Sequence, residues 1–203
     1  MTFQNLTLKP LAFALVSAVA LSACMGAMHH SDSPMASNGM AAMHADPMVG
    51  GAAMYASKDI IDNAVNSKDH TTLVAAVKAA GLVATLKGPG PFTVFAPTNA
   101  AFDMLPAGTV DTLLKPANKA TLTKVLTYHV VPGRLDSAAL AEKIEDGGGT
   151  ATLTTVQGEP LKVSMQGSSV VVTDTKGNVA TVTTADVYQK NGVIHVVDKV
   201  LMP

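Results

Sequence analysis

The hydrophobic positions divide the chain into three stretches with different patterns. Leu11 to Leu21 is one unbroken apolar run, LAFALVSAVAL. From Cys24 to Ala56 neither a helical nor a strand period is sustained, and Pro34, Pro47 and Gly50-Gly51 punctuate the segment. From Ser57 onward both periods appear. Ile60, Ile61, Ala64 and Val65 fall on one face of a helix that Ser57 can cap, with Asp59 in its first turn. Asp69 can cap a second helix, with Leu73, Val74, Ala76, Val77 and Ala80 inward and Gly81 as its stop. Leu82 to Leu86 adds a turn before Gly88-Pro89-Gly90-Pro91 breaks the chain. Phe92 to Ala96 reads as a short strand. Thr98 then caps a helix holding Ala101, Phe102 and Leu105, and Thr109 to Leu114 gives further helical turns. Asn118 to Thr127 is helical with Leu122, Val125 and Leu126 inward, Tyr128 to Val131 is extended, and Ser137 caps a helix to Lys143.

The pattern changes after Gly147-Gly148-Gly149. Short β-rich runs follow at 151–156, 161–165, 170–173, 179–183 and 193–202, separated by turn residues such as Gln166-Gly167-Ser168 and Lys176-Gly177-Asn178. Helices first and hairpins later predict an α+β domain rather than an alternating parallel one. In the last run Ile194, Val196, Val200 and Met202 share one face, and Val193, His195, Val197 and Leu201 share the other. A strand apolar on both faces is expected to be buried. His195 and His129 therefore read first as hydrogen-bonded interior residues, because buried polar groups rarely go unpaired.

The apolar run at 11–21 is too short to span ~30 Å of hydrocarbon as a helix. A weakly basic start, a short apolar run and small residues describe an export signal, residues 1–23. Leu21-Ser22-Ala23-Cys24 resembles the lipobox of bacterial lipoproteins, and Cys24 is the only cysteine in the chain. That resemblance implies cleavage before Cys24, its lipidation, and a membrane held through the lipid anchor. The alternative is an ordinary secreted protein with a cysteine at the junction. Met25 stands where an inner-membrane retention signal would place Asp, so the resemblance to proteobacterial sorting rules points to the outer membrane, facing the periplasm or the surface. Residues 24–56 are then expected to be a disordered tether of roughly 30 Å span.

Composition sharpens two points. Lys plus Arg number 14 and Asp plus Glu 15, so the chain lacks the basic face that nucleic-acid binding requires. Of the 11 methionines, seven lie between Met25 and Met54, alongside His29, His30 and His44. Met25, Met28, His29 and His30 form one cluster, and Met40, Met43, His44 and Met48 form another. Thioether sulfur suits Cu(I), and imidazole suits Cu(II) and zinc. The tether could thus hold copper or silver, or buffer oxidants through methionine sulfoxide, or be a plain linker. No cofactor is required by anything else in the chain.

Three motifs carry a family resemblance. Gly90-Pro-Phe-Thr-Val-Phe-Ala-Pro-Thr-Asn-Ala-Ala-Phe102, Tyr128-His129-Val-Val-Pro-Gly133 and Asn191-Gly-Val-Ile-His-Val-Val-Asp-Lys-Val-Leu-Met-Pro203 resemble, in order and spacing, the signatures of fasciclin domains. The resemblance covers residues 57–203. It implies a single wedge of antiparallel sheet with helices packed around it, mostly in the N-terminal half. It also implies adhesion or interaction with a protein or glycan partner, and as a rule no catalysis. In animal relatives the Tyr-His region has been linked to receptor adhesion, which makes Tyr128 and His129 candidate partner contacts. The residues themselves offer no Gly-x-Ser-x-Gly elbow, no His-Glu-x-x-His, no phosphate loop and no catalytic cysteine. The expectation is a lipid-anchored, non-enzymatic interaction protein of the cell envelope, with metal or oxidant handling by the tether, or a small-ligand domain, as alternatives.

Overall fold

The computed structural model describes residues 46–203. Cys24 and the candidate ligands Met25, Met28, His29, His30, Met40, Met43 and His44 lie outside the described residues, as do the expected export signal and most of the expected tether. Order begins earlier than residue 57. Strands β1 (Met48–Val49) and β2 (Ala52–Ala53) form a hairpin around Gly50-Gly51. Both turn residues have positive φ, 58° and 75°, the conformation that lets two residues reverse a right-twisted ribbon. Val49 and Met54 are buried in the core. The expected tether therefore ends before this hairpin, because two of its apolar side chains find burial. Just beyond it, Asn63 clamps the backbone of Tyr55: its amide donates to the Tyr55 carbonyl at 2.7 Å and its carbonyl accepts the Tyr55 N–H at 3.1 Å.

The helices follow. They are α1 (Ile60–Ala64), α2 (Thr71–Ala80) and α3 (Val83–Leu86). Strand β3 (Phe92–Pro97) separates them from α4 (Asn99–Asp103), α5 (Thr109–Leu114) and α6 (Lys119–Tyr128). Three caps differ from the sequence expectation. Asp59, not Ser57, caps α1 by accepting the Asp62 N–H at 2.8 Å. Asp69 lies inside a 3-10 turn, Lys68–His70, and caps nothing. Asp136, not Ser137, caps α7 (Ser137–Asp146), which follows β4 (Val130–Pro132). Asp59 and Asp136 cap because their backbones are extended, so that the side chain can fold back over the first turn, whereas α2 starts at His70 with no side-chain cap. Thr98 caps α4, and Gly81 at φ 77° ends α2, as expected.

Five strands complete the chain: β5 (Thr150–Thr154), β6 (Pro160–Gln166), β7 (Ser169–Thr173), β8 (Val179–Gln189) and β9 (Gly192–Val197). The seven-stranded sheet runs β4-β3-β9-β8-β7-β6-β5. All its pairs are antiparallel except β3 with β9, which run parallel, so the sheet is mixed. β8 is longer than its apolar run because bulges between Val182 and Val187 bend it and carry it on along β9.

The parallel pair β3–β9 is the spine. Its two faces feed two cores. Val94, Ala96, Ile194 and Val196 face the helices, with Ile60, Ile61, Val77, Leu122 and Leu126. Phe95 and Val197 face the other way, with Leu140, Ile144, Leu161 and Leu201. The two-sided alternation read from residues 193–202 is this arrangement. Gly192 lies where β9 meets β3, and a Cβ there would collide with the Phe92 carbonyl. Among the described residues no helix is long and apolar enough to cross a membrane.

Candidate functional site

Tyr128 ends α6 and His129 is its C-cap. Both are buried. The Tyr128 hydroxyl donates to the Pro160 carbonyl at 3.0 Å and accepts the Thr175 N–H at 3.2 Å. His129 Nε2 accepts the Leu201 N–H at 3.0 Å, so the ring proton sits on Nδ1, which donates to the Val125 carbonyl at 2.7 Å. Burial pushes the His129 pKa down to about 4, with the Val125 carbonyl and Asp174 opposing the drop. The ring is neutral at pH 7. Asp174 extends the clasp: one carboxylate oxygen accepts the Lys176 and Asn178 N–H groups, and the other accepts the Asn178 side-chain amide and the Met202 N–H at 3.0 Å. The Tyr-His pair thus fastens α6 to the β6 and β7 ends and to the C-terminal segment. Both side chains, expected as partner contacts, lie in the interior of the fold.

His195 is likewise an interior group. Its Nε2–H donates to the Leu135 carbonyl at 2.7 Å, and Nδ1 faces the Asp186 N–H at 3.4 Å. Phe95 stacks on the ring with centroids 5.7 Å apart. Burial lowers its pKa, against the Leu135 carbonyl, Asp186 and Asp136. Asp186 sits at the β8 bulge with φ 60°, and its carboxylate accepts both the Ser137 N–H at 2.7 Å and the Ser137 hydroxyl.

His70 was not singled out by the sequence, and it differs from the other two. It is 4% exposed. Its Nδ1 lies 2.9 Å from the Ser67 hydroxyl. Its Nε2 has no hydrogen-bond partner. Burial lowers its pKa. The Ala96 carbonyl and Asp69 oppose the shift, but that carbonyl does not complete a bond to Nε2. Ser67 and Asp69 are local to it, but the Ala96 carbonyl and the apolar groups that bury it come from distant segments, so no local pattern marks its burial.

Of the candidate metal ligands, only Met48 falls among the described residues, where it is 65% exposed on β1. Met54, counted in the same methionine-rich segment, is 2% exposed and serves the core. Among the described residues no three His, Cys, Asp or Glu side chains gather as a metal site.

A family model for the fasciclin domain matches residues 68–203. Protein sll1483 of Synechocystis is 47% identical over 156 residues, covering 77% of this chain and 79% of its own. Immunogenic protein MPB70 of Mycobacterium bovis is 41% identical over 145 residues, covering 69% of this chain and 66% of its own. Cell surface glycolipoprotein MPB83 of the same species is 33% identical over 177 residues, covering 87% of this chain and 70% of its own.

Proposed function

The chain belongs to the fasciclin domain family, and on that premise we propose that it is a non-enzymatic interaction protein of the cell envelope. Cys24 carries the lipid that holds it to a membrane, with the outer membrane as the destination. The folded domain binds a protein or glycan. The similarity to a cell surface glycolipoprotein over 87% of the chain is the observation that carries this reading. The interior chemistry supports it. The polar groups of the Tyr-His motif and the buried His195 are used in holding elements together, so binding falls to the exposed loops and helix faces. A competition assay tests it. The unlipidated Cys24→Ala chain, added in excess, should block adhesion of cells bearing the wild-type protein; adhesion unaffected at saturating competitor would end the proposal.

A second reading is Cu(I) or Ag(I) capture by Met25, Met28, His29, His30, Met40, Met43, His44 and Met48. The exposure of Met48, with its thioether free of the core, favours it. Titration of the full chain with Cu(I) should show binding tighter than millimolar. It should weaken when the other seven are replaced by alanine, and unchanged binding in that variant would refute it.

A further inference from the structure

Strands β7 and β8 pair over three residues only: Val171 with Thr181, Val172 with Ala180 and Thr173 with Val179. Past Thr181 the bulges carry β8 away from β7 and along β9. Ser169 and Val170 keep their partners in β6, Gln166 and Met165, but have none in β8. Val182 to Ala185 pair, where they pair at all, with β9 alone. Two strand edges therefore part from each other in the middle of the sheet.

Between them lies an open cleft of about 570 Å³, within the ~300–1,000 Å³ range of binding pockets. Val170, Val182 and Thr183 line it from the parted strands, and Ala138 and Ala141 line it from α7. Met165, 42% exposed, also lines it. Among the described residues no charged and no aromatic side chain does so.

The cleft is built around a strained residue. Asp186, just past the free edge of β8, is the one non-glycine among the described residues with positive φ, at 60°. Such conformations persist where the surroundings over-determine them, and they gather at ligand clamps. The Asp186 carboxylate accepts the Ser137 N–H at 2.7 Å and the Ser137 hydroxyl. That tie fixes the start of α7 against the bent part of β8, so the helix wall and the free edge are held in register with each other.

A free strand edge offers alternating N–H and C=O groups, and their complement is another extended backbone. The walls hold no charge for an ionic ligand and no ring on which a sugar face could stack. We propose that the cleft binds an extended, uncharged peptide segment of a partner protein, which adds as a strand to the Val182–Ala185 edge and sets small or β-branched side chains among Val170, Val182 and Ala141. The inference rests on the reading of the domain as an interaction module, and narrows its partner from protein or glycan to protein.

A random heptapeptide library displayed on phage and panned on the full chain tests it. The enriched peptides, once synthesised, should be uncharged and rich in Val, Ile and Thr. At saturation they should slow amide exchange at Thr183, Thr184 or Ala185 by about tenfold or more. Methylating alternate backbone nitrogens of a peptide should raise its Kd by about tenfold or more in one phase of alternation and little in the other, because an edge bonds every second residue. Ala138→Glu, at an exposed position of the wall, should weaken binding by a similar factor; should that variant not fold, Thr183→Lys, also exposed, takes its place. No enrichment, protection confined to other amides, equal tolerance of methylation in both phases, or undiminished binding by the folded wall variant would overturn the proposal. The assay uses no membrane and no cells, so failure here alongside successful competition for adhesion would remove this site and leave the interaction role standing.

Discussion

The backbone N–H of Leu201 donates to Nε2 of His129 at 3.0 Å, joining residues 72 positions apart in the chain. The same ring holds the Val125 carbonyl through Nδ1. One imidazole therefore bolts the C-terminal segment to the end of α6. His129→Phe keeps the ring's bulk and removes both bonds. Two buried backbone groups lose their partners, at a cost of about 2–4 kcal/mol. Urea denaturation should show the loss as a lower midpoint; a loss under about 0.5 kcal/mol would contradict this role.

The neutral state of that ring makes stability depend on pH. The folded pKa of His129 is about 4, below the ordinary value of 6.5. Between those values the unfolded chain binds the proton and the folded chain does not, so stability falls as pH drops from about 6.5 to about 4. The full shift corresponds to roughly 3 kcal/mol. Burial lowers His195 and His70 as well, which steepens the decline in the same direction. Unfolding midpoints measured from pH 7 to pH 4 should fall, and should fall less in His129→Gln. Equal midpoints across that range would refute the assignment.

Tyr128→Phe removes a hydroxyl that serves the Pro160 carbonyl and the Thr175 N–H. The expected loss is about 1–3 kcal/mol of stability. Because the side chain is fully buried, partner binding by the folded variant should be unchanged. A variant that is fully folded by circular dichroism yet fails to bind would return Tyr128 to the contact surface.

Met48 and Met54 should behave oppositely despite their shared segment. Met54→Ala opens space in the core and should cost about 2–5 kcal/mol. Met48→Ala, at an exposed position, should change stability by no more than about 0.5 kcal/mol. Thermal denaturation of the two variants checks this. Equal effects would mean that the hairpin does not dock as described.

The α+β class and the two-sided closing strand were legible because their signals are local. Alternation at residues 193–202 assigned Ile194 and Val197 to opposite cores, and Gly81 and Thr98 ended and began helices where they should. Ser137 adjoins the true cap Asp136, and Ser57 lies two residues before the true cap Asp59; nearby residues of similar capping power are separated only by backbone conformation. The parallel pairing of β3 with β9 joins segments about a hundred residues apart, and no short-range pattern encodes it. The hairpin did have a signal in Gly50-Gly51, but methionine-rich composition around it read as linker. The burial of His70 was not legible, because apart from Ser67, three residues before it, its surroundings are assembled by tertiary contact.

Membrane fractionation combined with an adhesion assay, comparing cells that express the wild-type chain with cells that express Cys24→Ala, tests the proposed envelope role most directly. The wild-type protein should sediment with the membrane and support adhesion. The variant should be released in soluble, folded form, with adhesion lost. Membrane association or adhesion equal to wild type in the Cys24→Ala cells would contradict it.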